Sequence, residues 1–131
     1  MSLSLVASGA WVGSASTSGT ITPALPAGWA AGDLIVAVVH YKQTAASISI
    51  PAGWTDSGFA PASANAAAYA AGAGNTRTTM VYRTALAGDT APVFTLTGGS
   101  TTNTTGNVMI GQTSAFRATS GSYRVACDPL I

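Results

Sequence analysis

A chain of 131 residues with 47% apolar side chains is long enough to bury one core without disulfides or metal, and too apolar to be disordered. Only 7% of residues are charged, and Lys42, Arg77, Arg83, Arg117 and Arg124 against Asp33, Asp56, Asp89 and Asp128 leave a net charge of +1. That balance gives no electrostatic reason to expect nucleic acid or an anionic membrane as partner, and no two basic residues are adjacent. The longest strongly apolar run, Leu34 to Val39, is too short to span a bilayer as a helix.

The elements are expected to be strands. Ala is abundant but interleaved with Gly, Ser and Thr, there is no Glu, and no long stretch carries a helical stripe. Residues 1–17 read as an amino-terminal arm or edge strand, with Ser2-Leu3-Ser4-Leu5 alternating polar and apolar. Residues 1–32 contain no charged side chain and so lack the basic start of a secretory signal; a mature amino terminus made in a cytoplasm is expected. Thr20–Thr22 is a short strand candidate.

Next comes Pro26-Ala27-Gly28-Trp29, repeated as Pro51-Ala52-Gly53-Trp54. Pro fixes φ and Gly tolerates φ > 0, so both copies are expected to reverse the chain and drop a Trp into or over the core. Between them, Asp33–Tyr41 is the strongest strand. Both of its faces are apolar, which predicts a central strand or one whose outer face is covered. Ser47–Ile50, Thr78–Ala85, Pro92–Thr97, Asn107–Phe116 and a short Ser122–Ala126 complete the set. Two loops interrupt it: the Ala/Gly-rich 60–75, with room for one helical turn around 66–71, and the uncharged polar 98–106. Strands at this spacing, divided by Gly, Pro, Asn and Ser turns, predict an all-β antiparallel β-sandwich with long surface loops, a single domain over 1–131.

The catalytic inventory is thin. His40 has no acid or nucleophile at a telling spacing and reads as a core or strand-end histidine. The single Cys127 excludes an internal disulfide and reads as a half-buried small residue. No spacing suits zinc, calcium or a phosphate-binding loop, so no cofactor and no enzymatic activity are expected. Asp33 and Asp89 each follow Ala-Gly and are expected to cap backbone N–H groups in turns. Trp29 and Trp54 are expected to plug the ends of the core.

A surface this poor in charge favours association, and a partner is expected to cover part of it. Leu3, Leu5 and Trp11 in the amino-terminal stretch, Tyr69 in the Ala-rich loop and Asn103 in the polar loop are the candidate contacts. Exposed aromatics on a sandwich also suit a sugar ring, which keeps a glycan-binding role as the alternative.

Six pieces stand in a characteristic order: Ala31–Val39 (AGDLIVAVV), Pro51–Thr55 (PAGWT), Tyr82–Ala85 (YRTA), Ala87–Asp89 (AGD), Pro92–Thr97 (PVFTLT) and Ala115–Arg117 (AFR). In that order they resemble a recurrent β-sandwich domain of tailed-phage virion proteins, over roughly residues 18–117. The resemblance implies a jelly-roll-like sandwich used in capsid decoration, head fibres or tail appendages. It implies a virion location, a major capsid protein or other virion protein as partner, and a homo-oligomer. It assigns no catalytic residue. The chain departs from the pattern where Ala118 follows Arg117 in place of Gly and the sequence soon stops, which leaves open whether a neighbouring subunit completes a sheet edge.

Overall fold

The computed structural model describes residues 2–42, 46–57, 76–99 and 106–119. Among them are nine strands and no helix: β1 (Leu3–Ser8), β2 (Val12–Ser14), β3 (Thr20–Ile21), β4 (Leu34–Lys42), β5 (Ser47–Ser49), β6 (Thr55–Asp56), β7 (Thr76–Thr84), β8 (Phe94–Thr97) and β9 (Met109–Ala118). They form two antiparallel sheets packed as a β-sandwich. The larger runs β1-β9-β4-β7-β6, with β2 also paired to β9, and the smaller runs β3-β8-β5.

The period of two in β4 builds the interior. Ile35, Ala37, Val39 and Tyr41 are buried. In register beside them lie Ala115, Thr113, Gly111 and Met109 of β9, and Arg83, Val81, Thr79 and Arg77 of β7. Ile21, Phe94 and Leu96 of the smaller sheet close the core from the opposite side. A second cluster of Ile35, Ala85 and Ala115 lies towards the start of β4, and Trp54 packs against both clusters. Gly111 permits the close approach over β9: a Cβ there would lie 2.8 Å from Ile21 Cδ1 and 3.3 Å from Pro23 Cγ.

The tight turns share one design. Trp29 N–H donates to the Pro26 carbonyl (3.5 Å) and Trp54 N–H to that of Pro51 (3.2 Å). Asp33 N–H likewise donates to the Ala30 carbonyl (3.1 Å) and Asp89 N–H to that of Leu86 (3.2 Å). In each the third residue is Gly at positive φ, between 76° and 93°, as a type II turn requires.

Several boundaries differ from the sequence expectation for local reasons. β4 begins at Leu34 because Asp33 is used in its turn. β8 begins at Phe94, two residues after Pro92, which has no N–H for a ladder. β1 runs on to Ser8 through an irregularity between Leu5 and Ala7, and β9 runs two residues past Phe116. β2 falls within the stretch 1–17 read as an arm or edge strand but was not distinguished from β1, and β6 was not anticipated; three and two residues are too few to show a period. The expected strand 122–126, the loop 60–75 and most of the loop 98–106 lie outside the described residues.

Candidate docking face

The alternate residues of the larger sheet point away from the core and form a second apolar surface. Across its central strands, Leu34 sits between Phe116 and Thr84, Val36 between Ser114 and Tyr82, Val38 between Gln112 and Met80, and His40 between Ile110 and Thr78. Leu3 and Leu5 extend the surface at β1, beside Ala118 and Phe116. Val36, Val38, Met80, Tyr82, Ile110 and Phe116 are half-buried. Lys42, at one end, is the charged residue of these rows.

Leu3 is 46% exposed, Leu5 58% and Trp11 48%. The Trp11 ring lies 5.8 Å from that of His40, tilted by 30°, and His40 Nδ1 is 2.8 Å from the Thr78 hydroxyl. His40 is thus bound into this surface at a strand position, between a hydroxyl and an indole.

The smaller sheet faces outward differently. Thr20, Thr95 and Ser49 stand in one row, and Thr97 and Ser47 in the next, all exposed. Ser49 Oγ accepts from Thr95 N–H at 3.2 Å. A sandwich in water presents polar residues on both outer faces. Here the strands of the smaller sheet turn hydroxyls outward, with Val93 and Ile50 exposed near them, whereas the larger sheet sets valine, methionine, isoleucine, leucine and aromatic side chains among Thr78, Thr84, Gln112 and Ser114.

The end of the sandwich where β4 starts is stapled by two acid-capped turns. Arg117 donates from Nε to Asp33 Oδ1 and from Nη2 to Asp33 Oδ2, both at 2.7 Å, and from Nη2 to the Gly28 carbonyl at 3.1 Å. Ala30 N–H donates to Asp33 Oδ2 at 2.8 Å. The Arg117 hydrogen bonds hold the Asp33 carboxyl below its ordinary range; burial opposes them and loses. In the second turn Leu86 N–H donates to Asp89 Oδ2 at 2.8 Å, and Arg83 Nη2 lies 3.0 Å from Asp89 Oδ1. The Arg83 guanidinium also lies 5.9 Å from the centre of the Trp54 ring. Backbone bonds between Gly32 and Ala85 and between Ala85 and Asp33, each 2.8 Å, tie the two turns together. Both oxygens of Asp33 are engaged by donors, so its geometry is that of a brace.

Of the candidate contacts, Leu3, Leu5 and Trp11 fall at the rim of the apolar face, and Tyr69 and Asn103 lie outside the described residues. Trp29 and Trp54 are half-buried, packed against the core behind their turns. Sequence reasoning missed the arginines that serve Asp33 and Asp89. No local signal marks them as partners: Arg117 stands 84 residues from Asp33, and the strand register brings the two together. It also missed that Met80, Ile110 and Phe116 align with Val36 and Val38, since that alignment is set by register. No three His, Cys, Asp or Glu residues among those described come together as a metal site.

No protein-family model, no curated protein and no solved structure matches the chain.

Proposed function

We propose that this protein is a bacteriophage virion structural subunit without enzymatic activity, a capsid decoration protein that docks on the outer shell as an oligomer. The observation that carries the proposal is the asymmetry of the sandwich: a nearly uncharged apolar outer face on the larger sheet and a hydroxyl-bearing one on the smaller. A subunit cementing a shell buries the first against the major capsid protein or a neighbour and leaves the second to solvent. Burial of apolar surface supplies the attraction, and repetition over a lattice makes modest contacts sufficient. The ordered motifs from Ala31 to Arg117, with their resemblance to jelly-roll-like virion domains, support the same reading.

A second reading, a tail or head-fibre component that binds glycan, is favoured by Trp11, whose exposed ring is available for stacking on a sugar. Copy number in purified particles separates the two, by quantitative mass spectrometry against the major capsid protein. Decoration predicts a ratio on the scale of the capsid lattice. A few copies per particle select the fibre reading, and absence from the particle overturns both.

A further inference from the structure

We infer that β1 is a self-pairing edge: two copies of this chain join antiparallel along Ser2–Leu5 about a two-fold axis at Ser4, continuing the larger sheet from one subunit into the next. The pairing rests on the oligomer proposed above and names its edge and register.

Among the described residues β1 ends the larger sheet, paired on one side only, to β9. Proteins blunt such edges with charge, proline or a bulge. Residues 1–22 contain neither a charged side chain nor a proline, and the only irregularity, between Leu5 and Ala7, leaves the segment before it regular.

The hydrogen-bond phase fixes the register. Thr119 N–H donates to the Ser2 carbonyl at 3.0 Å, so Ser2, and with the antiparallel period Ser4, use their backbone groups towards β9. Leu3 and Leu5 therefore aim N–H and C=O outward. With the two-fold axis at Ser4, Leu3 of each copy meets Leu5 of the other and exchanges both backbone bonds with it. Ser4 then faces its own mate as a non-hydrogen-bonded pair.

The side chains agree with that register. Leu3 and Leu5 project onto the apolar outer face and are the exposed leucines beside Phe116 and Ala118. Pairing brings these leucines from both copies into one cluster flanked by the two Phe116 rings, and fuses the two apolar faces into one surface. A charge close to a two-fold axis lies near its own copy, which penalises charge at the centre of such an edge. The absence of charge from residues 1–32 removes that penalty. A second copy is thus the occupant that the edge suits.

The test uses purified full-length protein and needs no virion, so it can fail independently of the decoration reading. Sedimentation equilibrium is expected to show a reversible dimer at micromolar concentration. Leu5→Pro removes an N–H that the subunit's own ladder does not use, and is expected to raise the dimer Kd about thirtyfold with the fold retained. Should that variant unfold, cysteine pairing decides. In a Cys127→Ser background, Ser4→Cys is expected to form an intermolecular disulfide on mild oxidation, because a non-hydrogen-bonded pair holds its Cα atoms about 4.5 Å apart. Ser8→Cys, well off the axis, is expected not to. A monomer throughout, a dimer indifferent to Leu5→Pro, or cross-linking at Ser8 as fast as at Ser4 overturns the inference.

Discussion

Phe94→Ala is expected to lower the unfolding free energy by about 4 kcal/mol, read from urea titrations followed by tryptophan fluorescence. Phe94 is the largest of the fully buried side chains and sits in the middle strand of the smaller sheet, which has few other anchors in the core. Its removal leaves a cavity against Ile21 and Val39 that short neighbouring strands cannot collapse around. A domain of this size has a total stability of about 5–15 kcal/mol, so the loss is a large share. Val93, the adjacent residue, is 49% exposed and faces outward. Val93→Ala is expected to stay within about 0.5 kcal/mol of the parent. Equal losses at the two positions would mean that the smaller sheet does not pack through Phe94.

Asp33→Asn is expected to cost about 2 kcal/mol at pH 7 and to change the acid response. The substitution weakens the paired bonds from Arg117 and presents an amide where a carboxylate accepted N–H groups. The folded state holds the Asp33 carboxyl below its ordinary 3.8, chiefly through the Arg117 hydrogen bonds. Its stabilising contribution is therefore fully present above about pH 4 and is lost as pH falls through the depressed folded value. The parent should lose stability on acidification over that window, and the gap between parent and Asp33→Asn should close. Urea midpoints for both proteins from neutral pH downward read this directly. A gap that stays constant to the lowest pH would show that the carboxylate is not the stabilising species.

Both effects depend on contacts that were only partly legible in the sequence. The alternation in Asp33–Tyr41 identified β4 and its apolar sides, but two apolar sides fit a central strand and a covered strand equally well. The structure gives a central strand whose outer side forms the apolar face. The repeated Pro-Ala-Gly-Trp and Ala-Gly-Asp stretches were readable as turns because Gly at positive φ is a local requirement. What Asp33 and Asp89 hold was not readable. Arg117 lies 84 residues from Asp33, and only the β4–β9 register brings the pair together. The same holds for the face itself: Met80 beside Val38, and Phe116 beside both Leu34 and Leu5, are pairings of strands far apart in the chain. β2 and β6 were too short to announce themselves, and each exists because β9 or β7 offers it a ladder.

The most direct test of the docking face is particle occupancy of Met80→Lys. Met80 lies on the outer side of β7 beside Val38 and is half-buried. A lysine there can extend its ammonium to water in the free subunit, so the fold is expected to persist, with a thermal midpoint near that of the parent. Docking would bury that charge without a partner, at a cost of several kcal/mol. Quantitative mass spectrometry of particles assembled with each version should show more than about tenfold fewer copies of Met80→Lys than of the parent. A folded Met80→Lys protein present at the parental copy number would contradict the account, because the apolar face could not then be what binds the shell.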